Sequence, residues 1–402
     1  MTAPASSTYS TYSTCSTYSR TGDLAMSELA SSDPDHLTPP AFTVHLNGSG
    51  GALKGWVVVD SLYDGLAMGG VRMTPGVTEE EVAGLARDMT QKFTLAGLPI
   101  GGAKGGIVAG GGDREETFRT FGRTVKPLLH GGIHLGIDMG VTPADRAVFF
   151  AEAGYDPRYR AGVPDMPIDW RTYYEPLIDC TGHGVGVAAV TALEAGGRTG
   201  PARVVVQGFG AVGRAVARFL EDRGHVIVGV ADVEGTVSAE RLPVADLVAV
   251  TDGFGRIDRS RLPEHVTVTA EPDAWLDVDA DLLILAAQKH ALNADNAHRL
   301  RAALVVEGGN ITSTAQAREK ARASGAFLVP GVIANIGGAG SAALAVTRVV
   351  PFGLAAEARK AWVFDWVGDR VRQNTRDLLE IAAGRPGDPL PELLAVRGKE
   401  RG

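Results

Sequence analysis

Arg203-Val204-Val205-Val206-Gln207-Gly208-Phe209-Gly210-Ala211-Val212-Gly213 is the stretch on which the architecture turns. Arg203 to Gln207 reads as a buried strand, and Ala211 to Asp222 as a helix. Between them the residues match Gly-x-Gly-x-x-Gly. Glycines also serve ordinary turns, so the pattern alone is weak. Its setting is stronger: a strand precedes it, a helix follows, and Asp232 lies about 20 residues on, after the next strand, His225 to Ala231. Gly208 permits the tight turn, Gly210 lets backbone approach a pyrophosphate, and Gly213 lets helix and strand pack closely. The helix start at Ala211 and Val212 offers unpaired N–H groups to the phosphates, with Phe209 in the turn. Asp232 can accept hydrogen bonds from an adenosine ribose and would repel a 2′-phosphate, which favours NAD over NADP. Neighbouring loops can bypass that preference, and the same sheet can also exist without a cofactor.

Working outward, the short apolar runs Leu282 to Leu285, Ala303 to Val306 and Phe327 to Val329 alternate with helical stretches. Alternation of this kind implies a parallel sheet covered on both faces. Gly184 to Ala195 is a helix leading into it, and Ala339 to Ala382 is helical in pattern. Towards the N-terminus, Val57 to Val59 is a short strand, and Thr78 opens a helix. Thr78 with Glu81 forms a capping box, and Val82, Leu85, Met89 and Phe93 make its buried stripe. Gly101 to Gly106 reads as a loop, and helices follow at 115–129 and 143–153. The loop is not a P-loop, because Lys104 neither follows the required glycine directly nor precedes Ser or Thr.

The expected organisation is α/β throughout. It has a disordered tail at 1–40, an α/β substrate and oligomerisation domain at 41–180 and a doubly wound nucleotide domain at 181–340. Helices at 341–384 return towards the first domain, and 385–402 is a flexible tail. Ala5 to Arg20 is almost entirely Ser, Thr and Tyr, so it cannot bury enough surface to offset its ordering entropy. It lacks the basic start and apolar stretch of a secretory signal, and Met26 is an alternative start. A net charge of -8 argues against a nucleic-acid partner. No apolar run reads as long enough to cross a bilayer. The two cysteines, Cys15 and Cys180, match no disulfide framework or zinc spacing, which points to the reducing cytoplasm and to no metal.

Three charged residues sit where charge is costly. Lys92 is three residues after Met89, on or beside the apolar stripe, so it must snorkel or find an anion. Lys104 is framed by glycines, where desolvation lowers a lysine towards a useful base. Asp138 lies in the small-residue segment Gly136-Ile137-Asp138-Met139-Gly140. Each has a bland explanation: a snorkelling lysine, a solvated loop lysine and a turn aspartate.

Taken together, the residues resemble a known family. Gly69-Gly70-Val71-Arg72, Met89-Thr90-Gln91-Lys92 and Leu98-Pro99-Ile100-Gly101-Gly102-Ala103-Lys104-Gly105-Gly106 look like the glutamate/leucine/phenylalanine/valine dehydrogenase superfamily. So do Val206 to Gly213, Val306-Glu307-Gly308-Gly309-Asn310 and Ala334-Asn335-Ile336-Gly337-Gly338, in order and approximate spacing. The likeness covers residues 50 to 340. It implies a homo-oligomeric enzyme that uses NAD to interconvert an L-amino acid with its 2-oxo acid and ammonia. By the same resemblance, Lys92 would hold the substrate α-carboxylate. Lys104 would activate water and stabilise the carbinolamine, and Asp138 would relay protons to nitrogen. Thr181 would contact the nicotinamide carboxamide, while Ala286, Ala287, Asn310 and Asn335 would line the cofactor side. His183, close by, reads more simply as a helix-start residue.

The substrate side chain is read from departures. The glutamate enzymes carry a lysine directly before the Gly69-Gly70 pair, where this chain has Met68. They also carry a serine at the position of Ala342, although Ser341 is adjacent. With Gly69, Gly70 and Ala339 beside them, Met68 and Ala342 imply an apolar pocket for a branched-chain or aromatic amino acid. The alternatives are glutamate, which needs another cation, and a non-catalytic nucleotide-binding relative. Trp170, Tyr173 and Tyr174 read either as a lid over the substrate or as packing.

Overall fold

The computed structural model describes residues 39–48, 53–160, 163–384 and 387–401. The Ser/Thr/Tyr-rich segment, Cys15 and Met26 lie outside the described residues.

The first region is a mixed sheet with helices on both faces. Its elements are β1 (Phe42–Asn47), β2 (Lys54–Val59), β3 (Ala67–Thr74), α1 (Glu79–Ala96), β4 (Gly101–Val108), α2 (Arg114–His130), β5 (Ile133–Ile137) and α3 (Pro143–Ala153). The strand order is β1-β2-β4-β3-β5, with β3 parallel to both neighbours. Side chains alternate between the faces of a strand. On one face Val71, Ala103 and Leu135 pack with Phe118, Phe121 and Phe149 of α2 and α3. The opposite face carries Met68, Gly70 and Arg72 of β3, Gly102, Lys104 and Gly106 of β4, and the row of His134 and Gly136 on β5. Helix α1 covers part of it.

The Gly101 to Gly106 segment is therefore an interior strand and not the expected loop. Its glycines are needed for packing. A Cβ on Gly102 would lie 2.2 Å from the Thr90 nitrogen, and one on Gly106 2.3 Å from Val82. Their absence lets α1 lie directly on the sheet. Thr78 caps α1 by accepting from the Glu81 N–H at 3.2 Å. The reciprocal half of the expected capping box is not formed, because the Glu81 carboxylate turns to Arg72 and Lys289.

After α4 (Trp170–Tyr174), the helix α5 (Cys180–Ala195) enters the second region almost wholly buried. The stretch 170–195 has the length and hydropathy of a membrane span, contrary to the sequence reading, but 67% of its most apolar window is buried inside the protein. It is a core helix here. The second sheet contains β6 (Arg203–Gln207), α6 (Ala211–Glu221), β7 (Val226–Asp232), β8 (Gly235–Ser238), α7 (Val244–Ala249), β9 (Thr267–Thr269), β10 (Leu282–Leu285), β11 (Leu304–Glu307), α8 (Ala315–Ala323) and β12 (Phe327–Val329). Its order is β12-β11-β10-β6-β7-β8-β9. The first five strands are parallel, and β8 and β9 extend the edge antiparallel. The order reverses between β10 and β6, which opens a crevice at their carboxyl ends.

The chain closes with α9 (Gly331–Ala334), α10 (Ile336–Val346), α11 (Ala356–Gly384) and α12 (Leu390–Arg401). The helical pattern from Ala339 breaks at Arg348, whose φ is 62°, just before Pro351. The last segment, expected to be a flexible tail, is α12. Its composition hid long-range anchors. Arg397 donates to Asn374 Oδ1 at 2.9 Å and pairs with Asp377, while Arg401 donates to Thr94 and the Ile100 carbonyl. Asn374 in turn donates to the Leu95 carbonyl, so the C-terminal helices are tied to α1.

Candidate active site

The second face of the first sheet opposes the crevice of the second, and between them lies a cavity of about 640 Å³. Its floor is laid out in rows by strand register. Met68 pairs with His134, Gly70 with Gly136, and Asp138 donates its N–H to the Val71 carbonyl one step further. The glycine row leaves open space, with larger side chains at either end.

At one end stand the three charged residues singled out in the sequence. Lys104 Nζ lies 3.0 Å from Asp138 Oδ2, with both side chains largely buried. Arg72 donates to the same carboxylate oxygen at 3.1 Å and to Glu81 at 2.8 Å. Burial works against the Asp138 carboxylate, but Lys104 and Arg72 overcome it and hold its pKa well below the usual range. Asp138 is thus an ionised acceptor. Lys92, only 4% exposed, donates to Asn310 Oδ1 at 2.9 Å across the cleft. Burial pulls its pKa down to about 8; Lys104 adds to that, and Asp88 and Asp138 oppose it.

The second region supplies the facing wall with Thr181, Val212, Ala286, Ala287, Asn310 and Asn335. The residues fit a dinucleotide. Gly208 has φ +96°, and a Cβ there would lie 2.6 Å from Ala287 Cβ; one on Gly213 would lie 1.9 Å from the Gly208 carbonyl oxygen. No side chain caps α6 at Gly210, so its N–H groups stay available to phosphate. Asn335 donates to the Gly309 carbonyl at 2.8 Å, yet its own Oδ1 is buried without a partner, an acceptor suited to a carboxamide. Phe209 and Ala211 shape the turn; Phe209 is buried in the core.

Asp232 ends β7 as the motif requires, but it is not free for a ribose. Its carboxylate accepts from Ile257 N at 2.7 Å and Glu234 N at 2.8 Å and is paired with Arg259. The side chain is 3% exposed. The expected repulsion of a 2′-phosphate is therefore offset by an adjacent guanidinium. His183 packs between Phe219 and Phe364, away from the cavity lining.

At the other end, Met68, Ala339 and Ala342 line the cavity with His134, Arg146, Trp170 and Tyr174. Ser341 does not replace Ala342: it is fully buried and donates to the Gly338 carbonyl at 3.0 Å. The aromatic segment divides between the cavity wall and the core. Trp170 and Tyr174 stack at 6.1 Å and face the cavity, whereas Tyr173 is core and donates to the Ser341 carbonyl at 2.6 Å. Sequence reasoning missed Glu81, Lys289 and Arg146 at this site. The signal for Glu81 was absorbed by its capping role. Arg146 and Lys289 sit in ordinary polar surroundings in the sequence.

Residues 40–154 match the family model described as Glu/Leu/Phe/Val dehydrogenase, dimerisation domain, and residues 177–356 match the model described as Glutamate/Leucine/Phenylalanine/Valine dehydrogenase. The NADP-specific glutamate dehydrogenase of Saccharolobus shibatae is 33% identical over 319 residues, 73% of this chain and 72% of that protein. The catabolic NAD-specific glutamate dehydrogenase of Bacillus subtilis is 29% identical over 309 residues, covering 73% and 70%. Among solved structures, the hetero-hexameric glutamate dehydrogenase of Thermus thermophilus in its Leu-bound form superposes with a TM-score of 0.74 at 28% identity. That match covers 90% of this chain and 88% of that one.

Proposed function

We propose that this chain, which belongs to the glutamate/leucine/phenylalanine/valine dehydrogenase family, deaminates an amino acid with an acidic side chain, glutamate first, and runs the reverse amination. Family membership carries the coarse activity: an oxidoreductase that interconverts an amino acid and its 2-oxo acid with NAD(P). The observation that carries the site assignment is the convergence of Lys92, Lys104 and Asp138 opposite Thr181, Asn310 and Asn335 in one cavity.

In this reading the Lys92 ammonium leaves Asn310 to hold the substrate α-carboxylate. Asp138, kept ionised by Lys104 and Arg72, takes a proton from the substrate nitrogen and returns it when ammonia leaves. Lys104 orients the attacking water and stabilises the carbinolamine oxygen, whose proton passes to solvent as the carbonyl forms and ammonia leaves. NAD(P), when bound, would supply the acceptor for the hydride from Cα. Thr181, Asn310 and Asn335 would hold its carboxamide, and Gly208 to Gly213 with Ala286 and Ala287 would hold its pyrophosphate. NAD is the cofactor proposed first from the place of Asp232, with NADP tolerated because Arg259 neutralises that carboxylate. Assembly as a homo-oligomer through the first region agrees with the dimerisation model matched there.

The glutamate reading rests on curated relatives that include NADP-specific and NAD-specific glutamate dehydrogenases. A second reading, an apolar branched-chain or aromatic side chain, is favoured by Met68 and Ala342, which put no cation at their positions. NADH or NADPH formation by the purified protein at alkaline pH decides between them. Glutamate turnover exceeding that of leucine, valine and phenylalanine supports the first. Turnover of the apolar acids alone transfers the assignment to the second, and no turnover of any would remove both.

A further inference from the structure

The cavity end away from Lys104 carries a cation that no described residue balances with a carboxylate. Arg146 projects from the first turns of α3 beside β5, the edge strand of its sheet, and lines the cavity half-buried. Among the described residues no carboxylate, carbonyl or hydroxyl accepts from its guanidinium. Its contact is the face of Trp170, at 6.0 Å from the ring centroid, the outer limit of a cation–π interaction. A guanidinium stays charged when buried, and a desolvated charge without a partner is costly.

The surroundings reinforce this. Burial pushes the His134 imidazole down to about 3, and Arg146, Arg160 and Arg348 all push the same way, with no carboxylate opposing them. His134 is therefore neutral and adds no charge. Arg348 is taken up by backbone carbonyls of Pro157, Arg158, Pro164 and Ala345. The carboxylates that line the cavity, Glu81 and Asp138, are already bound to Arg72, Lys289 and Lys104. They also belong to the far end: Asp138 is four residues beyond the Met68/His134 row, roughly 13 Å along a strand. From the Lys104 end the walls run through the open Gly70/Gly136 row to the Met68 thioether and Ala342, surfaces that suit methylene groups.

We propose that Arg146 binds a second carboxylate, at the far end of the substrate's side chain, and so selects dicarboxylic substrates. The assignment deepens the acidic-side-chain reading and rests on it, but its test does not need turnover. The probes are glutarate and valerate, five-carbon acids that differ only in the second carboxylate. Their binding to the protein–NADH complex is followed by the change in NADH fluorescence. Glutarate is expected to bind roughly ten- to hundredfold more tightly than valerate, as a charge-assisted hydrogen-bonded pair supports. Arg146→Gln should abolish that preference while valerate binding stays within about twofold of wild type. Arg146→Lys should retain part of the preference, which shows that the loss in Arg146→Gln is of charge and not of fold.

Equal binding of the two acids by the wild-type protein would overturn the proposal, as would a glutarate preference that survives Arg146→Gln. An Arg146-dependent glutarate preference without glutamate turnover would uphold the anion site and sink the glutamate assignment alone. Glutamate turnover whose KM is unmoved in Arg146→Gln would do the reverse.

Discussion

Lys92 shows how one side chain's surroundings become a pH dependence. With a pKa of about 8 in the free protein, its ammonium is present below that value and lost above it. In the proposed binding mode the α-carboxylate loses its counter-ion in the same direction. KM for the 2-oxo acid should therefore rise as pH increases through about 8, and this step should vanish in Lys92→Gln; steady-state kinetics across that range measure both. In the proposed mechanism Lys104 acts on the reacting atoms themselves. Lys104→Ala is expected to lower kcat by roughly 10²–10⁴-fold and to leave NADH binding intact, because the cofactor residues lie on the other sheet. Fluorescence titration with NADH beside an activity assay separates the two effects. The lysines and Asp138 could be singled out in the sequence because a charge on an apolar stripe, or among glycines, is locally anomalous; their roles came only from the family resemblance. Arg146 was not, since nothing near it in sequence shows that Trp170 and His134 surround it.

At the level of elements, β4 is the informative case. A glycine-rich run reads as a loop when only its own propensities are considered, and it is a strand because α1 lies against it. Gly102→Ala tests this directly. Its Cβ would sit 2.2 Å from the Thr90 backbone nitrogen, so either α1 or the strand must move. The expected cost is about 1–3 kcal/mol. Calorimetry should show a lower Tm, and because Lys92 rides on α1, KM should rise with it; an unchanged Tm would mean that α1 is not seated as described. The final helix α12 teaches the same lesson. Its Gly, Pro and charged residues resemble a tail, yet Arg397 and Arg401 are pinned by Asp377, Asn374, Thr94 and the Ile100 carbonyl.

Across the whole molecule, the two sheets meet through polar contacts that also touch the chemistry. Lys92 reaches Asn310, and Lys289 pairs with Glu81, which holds Arg72 behind Asp138. The Lys289 side chain is 48% exposed, so the pair contributes little to stability, about 0–1 kcal/mol. Lys289→Ala should accordingly leave Tm nearly unchanged. It should raise KM a few-fold by loosening the closed cleft, an effect that weakens at high salt in the wild-type protein as screening takes over. A large fall in Tm would instead make the pair a structural support.

Much followed from the sequence alone. The β6–Gly208–α6 turn, the alternating strands and helices of the second sheet and the buried stripe of α1 were all readable. Each is set by steric demands and periodicities among residues close in the chain. The tertiary structure decided what depends on distant partners. It made β4 a strand, because α1 packs on it. It neutralised Asp232 with Arg259, 27 residues on, and so removed a simple cofactor preference. It also set Arg146 beside Trp170 at the end of the cavity opposite Lys104 and Asp138. The electrostatic balance of a buried pocket is a sum over everything that lines it, and only the folded chain specifies that lining.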